Sequence, residues 1–134
     1  MGAAHNLDVY RRWADAEDRH DLTGHDAYLH ADVEVVSPGA PPLVGLDAYR
    51  EGIEATYVGL SDLRVLVDDN FTTDDRVVCR WRLTGRHTGP LFGFPPTDRA
   101  IEIPGISLWE FDGGRARRGW VMPDLAAIMA QLGA

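Results

Sequence analysis

Residues 86–106 read RHTGPLFGFPPTDRAIEIPGI, and they join the two longest strand-like segments of the chain. In the segment leading in, Val77, Cys79, Trp81 and Leu83 alternate with Arg76, Arg80, Arg82 and Thr84, and Val78 alone breaks the pattern. A period of two with one apolar face marks a half-buried strand. The same parity carried past Gly85 brings His87 onto the inward face. An imidazole there needs a partner or a cavity, because burying an unpaired polar group is costly. Beyond it, Leu91, Phe92 and Phe94 sit among Gly89, Pro90, Gly93, Pro95 and Pro96. Prolines fix backbone angles and glycines permit tight turns, so an ordered loop is expected to carry aromatics to one end of a sheet. The next strand is expected from about Arg99 to Phe111. A bulge or break is expected at Pro104-Gly105, since proline cannot donate to a central ladder.

Downstream, Asp112-Gly113-Gly114 reads as a hairpin turn, and Arg115 to Met122 return as the last strand. Pro123 then opens a short helix carrying Leu125, Ile128 and Leu132. Upstream, Leu63, Val65, Val67 and, less regularly, Phe71 mark a strand that turns at Thr72–Asp75. The period before that is helical. Leu7, Tyr10, Trp13 and Ala14 predict a helix over Ala4–Arg19, and Tyr49, Ile53 and Tyr57 predict another over Asp47–Tyr57. A short helix over Thr23–His30, a strand over Val33–Val36 and an extended stretch over Pro41–Gly45 fill the interval. Helices first and antiparallel strands later indicate an α+β fold, with helices against one face of a curved sheet.

At 134 residues the chain has the size of a single domain, residues 1–134. Its 13 basic and 21 acidic residues leave a net charge of −8, which argues against nucleic acid or an anionic membrane as partner. One cysteine, Cys79, excludes an internal disulfide and a multi-thiolate zinc site. His20, His25 and His30 recur every five residues and do not share a helical face, so no metal is expected. With no long apolar run, a cytoplasmic domain is expected.

Several segments together resemble the SnoaL-like polyketide cyclases of the nuclear transport factor 2-like superfamily. They are TGRHTG (84–89), GFPPTDR (93–99), IPGI (103–106), WVMPD (120–124) and QLGA (131–134). The opening fits as well, with Tyr10 and Trp13 on the first helix, SPG at 37–39 and GLDAYR at 45–50. The resemblance implies a cone-shaped, curved mixed or antiparallel sheet packed against N-terminal helices, and a homodimer formed through the outer sheet face. It implies a cofactor-independent enzyme, without metal, acting on a small hydrophobic polycyclic or polyketide-derived substrate. It also carries over roles: a general base at Asp124 and a pocket histidine at His87. Where the family often has Glu-His before the last Trp, this chain has Arg118-Gly119.

On the last strand Arg118, Trp120 and Met122 share a face, and the parity reaches Asp124. A carboxylate sharing an aromatic pocket is poorly solvated and a better base. Asp124 would then take a proton alpha to a carbonyl, with His87 or a water stabilising the enolate oxygen. The plainer alternative is that Asp124 caps the C-terminal helix. A cone has an interior, and Tyr10, Trp13, Trp81, Phe92, Phe94 and Trp120 are the expected aromatic lining. Arg118 is a candidate pocket cation or an exposed member of the RARR run at 115–118. The function expected is intramolecular aldol-type ring closure. Its rivals are an isomerase, dehydratase or epoxide hydrolase in the same pocket, or a non-catalytic carrier of a hydrophobic metabolite.

Overall fold

The computed structural model describes residues 2–133. Helix α1 (Ala3–Asp18) is followed by a 3-10 turn (His25–Ala27), strands β1 (Leu29–Val36) and β2 (Leu43–Val44) and helix α2 (Leu46–Gly59). Strands β3 (Leu60–Thr72), β4 (Arg76–His87), β5 (Ala100–Asp112) and β6 (Arg115–Pro123) complete the sheet, and α3 (Leu125–Leu132) ends the fold. The six strands lie in the order β2-β1-β6-β5-β4-β3, antiparallel except for the parallel β1/β6 pair. This is the expected α+β cone.

The core occupies the concave face. From α1, Val9, Tyr10, Trp13 and Ala16 are buried, and α2 adds Leu46 and Tyr49. From β4 the inward row is Val77, Cys79, Trp81, Leu83 and His87, as the alternation predicts. Phe71 pairs with Val78 instead of joining Val65 and Val67, because β3 changes register between Val67 and Asp69. One extra residue at such a bulge moves the following side chains to the other face.

Three expectations need correction. Within residues 23–30 only His25–Ala27 are helical, as a single 3-10 turn, and no helix runs to His30, because Leu29 pairs with Ala116 as the start of β1. Sheet pairing takes residues that local pattern would leave helical. The ladder is unbroken at Pro104-Gly105, where Pro104 opposes Arg82 and Gly105 opposes Trp81. Pro104 O accepts the Asp124 N–H at 2.8 Å, so the absent proline N–H is aimed the same way, where β6 pairing has ended at Pro123. The register shift in β5/β6 falls instead between Glu110 and Phe111, which leaves Arg117 unpaired. Third, the face shared by Arg118, Trp120 and Met122 is the outer one. Their neighbours Ala116 and Gly119 are the buried residues of β6.

Two glycines make room for tryptophans across the sheet. A Cβ on Gly105 would lie 2.4 Å from the Trp81 ring, and one on Gly119 would lie 2.4 Å from the Trp109 ring. Trp81 and Trp109 are both buried, so neither ring can swing into solvent without opening the core. Gly105→Ala should therefore destabilise the fold by about 2–3 kcal/mol, an overpacking cost. Urea unfolding at constant m checks this, and a loss below about 0.5 kcal/mol would contradict it.

Candidate active site

His87 ends β4 and is fully buried. Its Nδ1 lies 3.2 Å from the Thr97 backbone N and 3.0 Å from Thr97 Oγ1. A backbone N–H can only donate, so Nδ1 accepts and the ring proton is assigned to Nε2. Nε2 is buried without a partner among the described residues. The backbone here is also double-anchored: His87 N–H donates to Arg99 O, and Asp98 N–H donates to His87 O, each at 2.8 Å. The GFPPTDR loop thus holds the imidazole from one side and leaves one donor to offer.

Asp124 stands elsewhere. It is exposed and caps α3, its Oδ1 accepting the Ala127 N–H at 3.0 Å. The desolvated position beside Trp120 is therefore corrected to a solvated cap, because β6 turns its Trp120 face outward. Nor does the sheet bring Asp124 beside His87. Arg86 pairs with Ala100, whereas Asp124 bonds Pro104, four residues further along β5 or about 13 Å at the rise of a strand.

The expected aromatic lining divides into three groups. Tyr10, Trp13 and Trp81 are closed core. Trp13 packs edge-on against Trp109, Tyr10 and Tyr49, with centroids 4.5, 5.3 and 6.3 Å away. Phe94 is half-buried, and Phe92 is 47% exposed at φ 51. Phe92 borders a shallow cleft of about 230 Å³ between α2 and the loop, with Gly52, Thr56 and Leu91. Trp120 lies on the outer face, where the Arg118 guanidinium sits 5.9 Å from its ring centroid. Arg118 faces Glu34 at 3.7 Å in a polar surface cleft with Asp32, Glu110 and Arg117. It is a surface cation of the outer sheet, not a group inside the cone.

Sequence pattern did not reveal a polar cluster around Glu17. Glu17 Oε2 accepts from Trp13 Nε1 at 2.7 Å and from Tyr49 OH at 2.6 Å. His25 Nε2 lies 3.1 Å from the same oxygen, within ion-pair range but out of line for a hydrogen bond. Tyr57 OH donates to the Glu17 backbone O at 2.6 Å. His25 is fully buried, at the 3-10 turn that replaces the expected helix. The cluster draws on α1, α2 and that turn, so no local spacing could signal it.

The arrangement, a curved mixed sheet closed by N-terminal helices with a histidine at the end of β4, is the nuclear transport factor 2-like fold. The family model for SnoaL-like polyketide cyclases matches residues 7–132, and the chain belongs to that family. Among solved structures it is similar to TsrD from Streptomyces laurentii, at 25% identity over 100% of this chain and 98% of that one, with a TM-score of 0.89. A SnoaL-like polyketide cyclase from Agrobacterium tumefaciens str. C58 shares 20% identity over 94% and 96% of the two chains, with a TM-score of 0.81. An NTF2-like protein of unknown function from Burkholderia pseudomallei K96243 shares 20% over 97% and 98%, also at 0.81. A search of curated proteins returned no match. No described helix is long and apolar enough to cross a membrane.

The buried phenols make stability depend on alkaline pH. Burial and then Cys79 push Tyr10 well above the ordinary value of 10.0, and burial and then the Glu17 carboxylate do the same to Tyr49. A raised folded-state pKa means that the native state keeps protons which the unfolded chain releases above about pH 10. This stabilisation is complete below that pH and is lost as pH rises toward the folded-state values. Tm should fall steeply from about pH 10 upward, and Tyr49→Phe should flatten the slope. A wild-type Tm that stays level through that range would contradict the assignment.

Proposed function

We propose that the chain is a cofactor-independent ring-closing enzyme for a small hydrophobic, polycyclic or polyketide-derived substrate. The observation that supports this best is His87, a buried imidazole whose Nε2–H has no partner among the described residues. A substrate carbonyl oxygen would satisfy that donor, and with Asp124 further along the sheet His87 would hold a carbonyl remote from the reacting carbon, a water stabilising the enolate oxygen. The family position Asp124 supplies the base, its carboxylate held in place by the cap bond to Ala127. In the reaction a carbon alpha to a carbonyl gives its proton to the carboxylate, and the electron pair becomes an enolate. The enolate carbon attacks a second carbonyl of the same molecule, and the proton returns to the new alkoxide. No electron donor or acceptor enters, and holding both carbonyls in one folded pose supplies much of the acceleration. Phe92 and Phe94, on the loop that anchors His87, are the expected lining residues left accessible to such a substrate.

One rival has a specific observation in its favour. Asp124 is exposed and engaged as the α3 cap, away from His87, which suits a carrier that binds without chemistry. In the enzyme reading, Asp124→Asn lowers single-turnover ring closure about 100-fold and leaves substrate Kd unchanged. If neither quantity moves, the carrier or a different acid/base group takes its place.

We also infer a cytoplasmic homodimer. Across the outer face Val36, Trp120, Leu108, Val78 and Phe71 are successive cross-strand partners, making one apolar row over five strands. Ile106 and Met122 extend it, and both are exposed. A charged row, Glu34–Arg118–Glu110–Arg76, runs alongside and would set the register between two copies. Leu108→Asp should convert a dimer into a monomer in sedimentation velocity, with an unchanged circular dichroism spectrum. A monomeric wild type would contradict the interface.

A further inference from the structure

Glu17 sits in the last turn of α1, where helix carbonyls already present negative charge and a carboxylate opposes the dipole. No Lys or Arg pairs with it among the described residues. Its side-chain partners are Trp13, Tyr49 and His25, and all three meet Oε2. Oε1 is left without a protein partner among the described residues, on a side chain that is 20% exposed. The carboxylate is rigidly aimed, since Trp13 and Tyr49 are buried and Tyr57 holds the Glu17 backbone. Tyr57 also stacks on His20 with ring centroids 3.8 Å apart, so an aromatic ledge lies beside Glu17. Behind the carboxylate, His25 is fully buried and its Nδ1 has no partner among the described residues.

Packing alone does not account for this cluster. A leucine or methionine would leave the Trp13 N–H and Tyr49 O–H without their acceptor, but those two donors need only one of the carboxylate oxygens. A carboxylate with one oxygen taken by protein donors, and the other without a partner among the described residues on a partly exposed side chain, keeps an acceptor open to a ligand. A carboxylate oxygen accepts, so it selects a ligand that carries a donor.

We propose that Glu17 anchors the ligand, with Oε1 accepting a hydrogen bond from a phenol or enol hydroxyl of an aromatic substrate whose ring lies on the Tyr57–His20 ledge. This rests on the reading of the protein as an enzyme for polyketide-derived substrates, and it names the feature of the substrate that is recognised. Glu17 is then a specificity residue distinct from His87 and Asp124.

The test is calorimetric titration of the 134-residue chain with 2-naphthol and with 2-methoxynaphthalene, which differ in one donor. The wild type should bind 2-naphthol roughly tenfold or more tightly than the methyl ether, the worth of a charge-assisted hydrogen bond. Glu17→Gln keeps an oxygen for Trp13 and Tyr49 but turns an N–H outward, and should bring the ratio to about one. If that variant does not fold, Glu17→Asp retains the charge, withdraws it by one methylene and should also shrink the ratio. Equal binding of both ligands by the wild type, or a ratio unchanged in the folded variant, overturns the anchor and leaves the aromatic-substrate reading standing. Failure to bind either naphthalene overturns both.

Discussion

The structure depends on Trp109 lying across Gly119. The buried indole occupies the space that a side chain on β6 would fill, and its other side receives Trp13 edge-on at 4.5 Å. One contact therefore fixes the β5/β6 packing and the docking of α1 onto the sheet. Tyr49 packs edge-on against the same ring at 6.1 Å, which ties α2 to the same point. Aromatic pairs in such edge-on geometry contribute about 0.5–1.5 kcal/mol each beyond their buried area. Trp81 over Gly105 repeats the device one strand further along.

The same residues carry the structure toward chemistry. Trp13 and Tyr49 are core by their rings and functional by their polar edges, because Trp13 N–H and Tyr49 O–H converge on Glu17. Burying these two donors would be expensive without an acceptor, so the carboxylate completes the core while presenting charge at its margin. His87 follows the opposite pattern. Its Nδ1 is consumed by Thr97 in the adjoining loop, and its Nε2 donor is kept inside. Acceptor and donor thus come from different elements, α1 for one and β4 for the other.

Much of the fold was legible because strands β3 to β6 alternate and the turns carry their glycines. Gly113 and Gly114 both take positive φ, 63 and 84, as the Asp-Gly-Gly turn requires. The inward position of His87 followed from parity alone. The site was less legible, for definite reasons. Parity correctly grouped Arg118, Trp120 and Met122, but it cannot say which face is inside; that is decided by Gly119 lying beneath Trp109. Aromatic residues suggested a lined pocket, yet Tyr10, Trp13 and Trp81 fill the space themselves, since composition does not distinguish a wall from a filling. Glu17 was missed because its partners lie 4, 8 and 32 residues away on three elements. Asp124 could be read as base or cap, and the cap bond is what the structure contains.

The central claim is that the aromatic centre around Trp13 is closed packing secured to Glu17, with the ligand met beyond it, at His87 on the end of β4 and at Glu17 on the end of α1. The most direct measurement is hydrogen exchange at the Trp13 indole Nε1–H, followed by nitrogen-15 NMR. A closed interior predicts exchange slowed by several orders of magnitude relative to free indole, and faster exchange once Glu17 is replaced. Exchange at the free-indole rate would mean that Trp13 lines an open, solvent-filled pocket, and the account would be wrong.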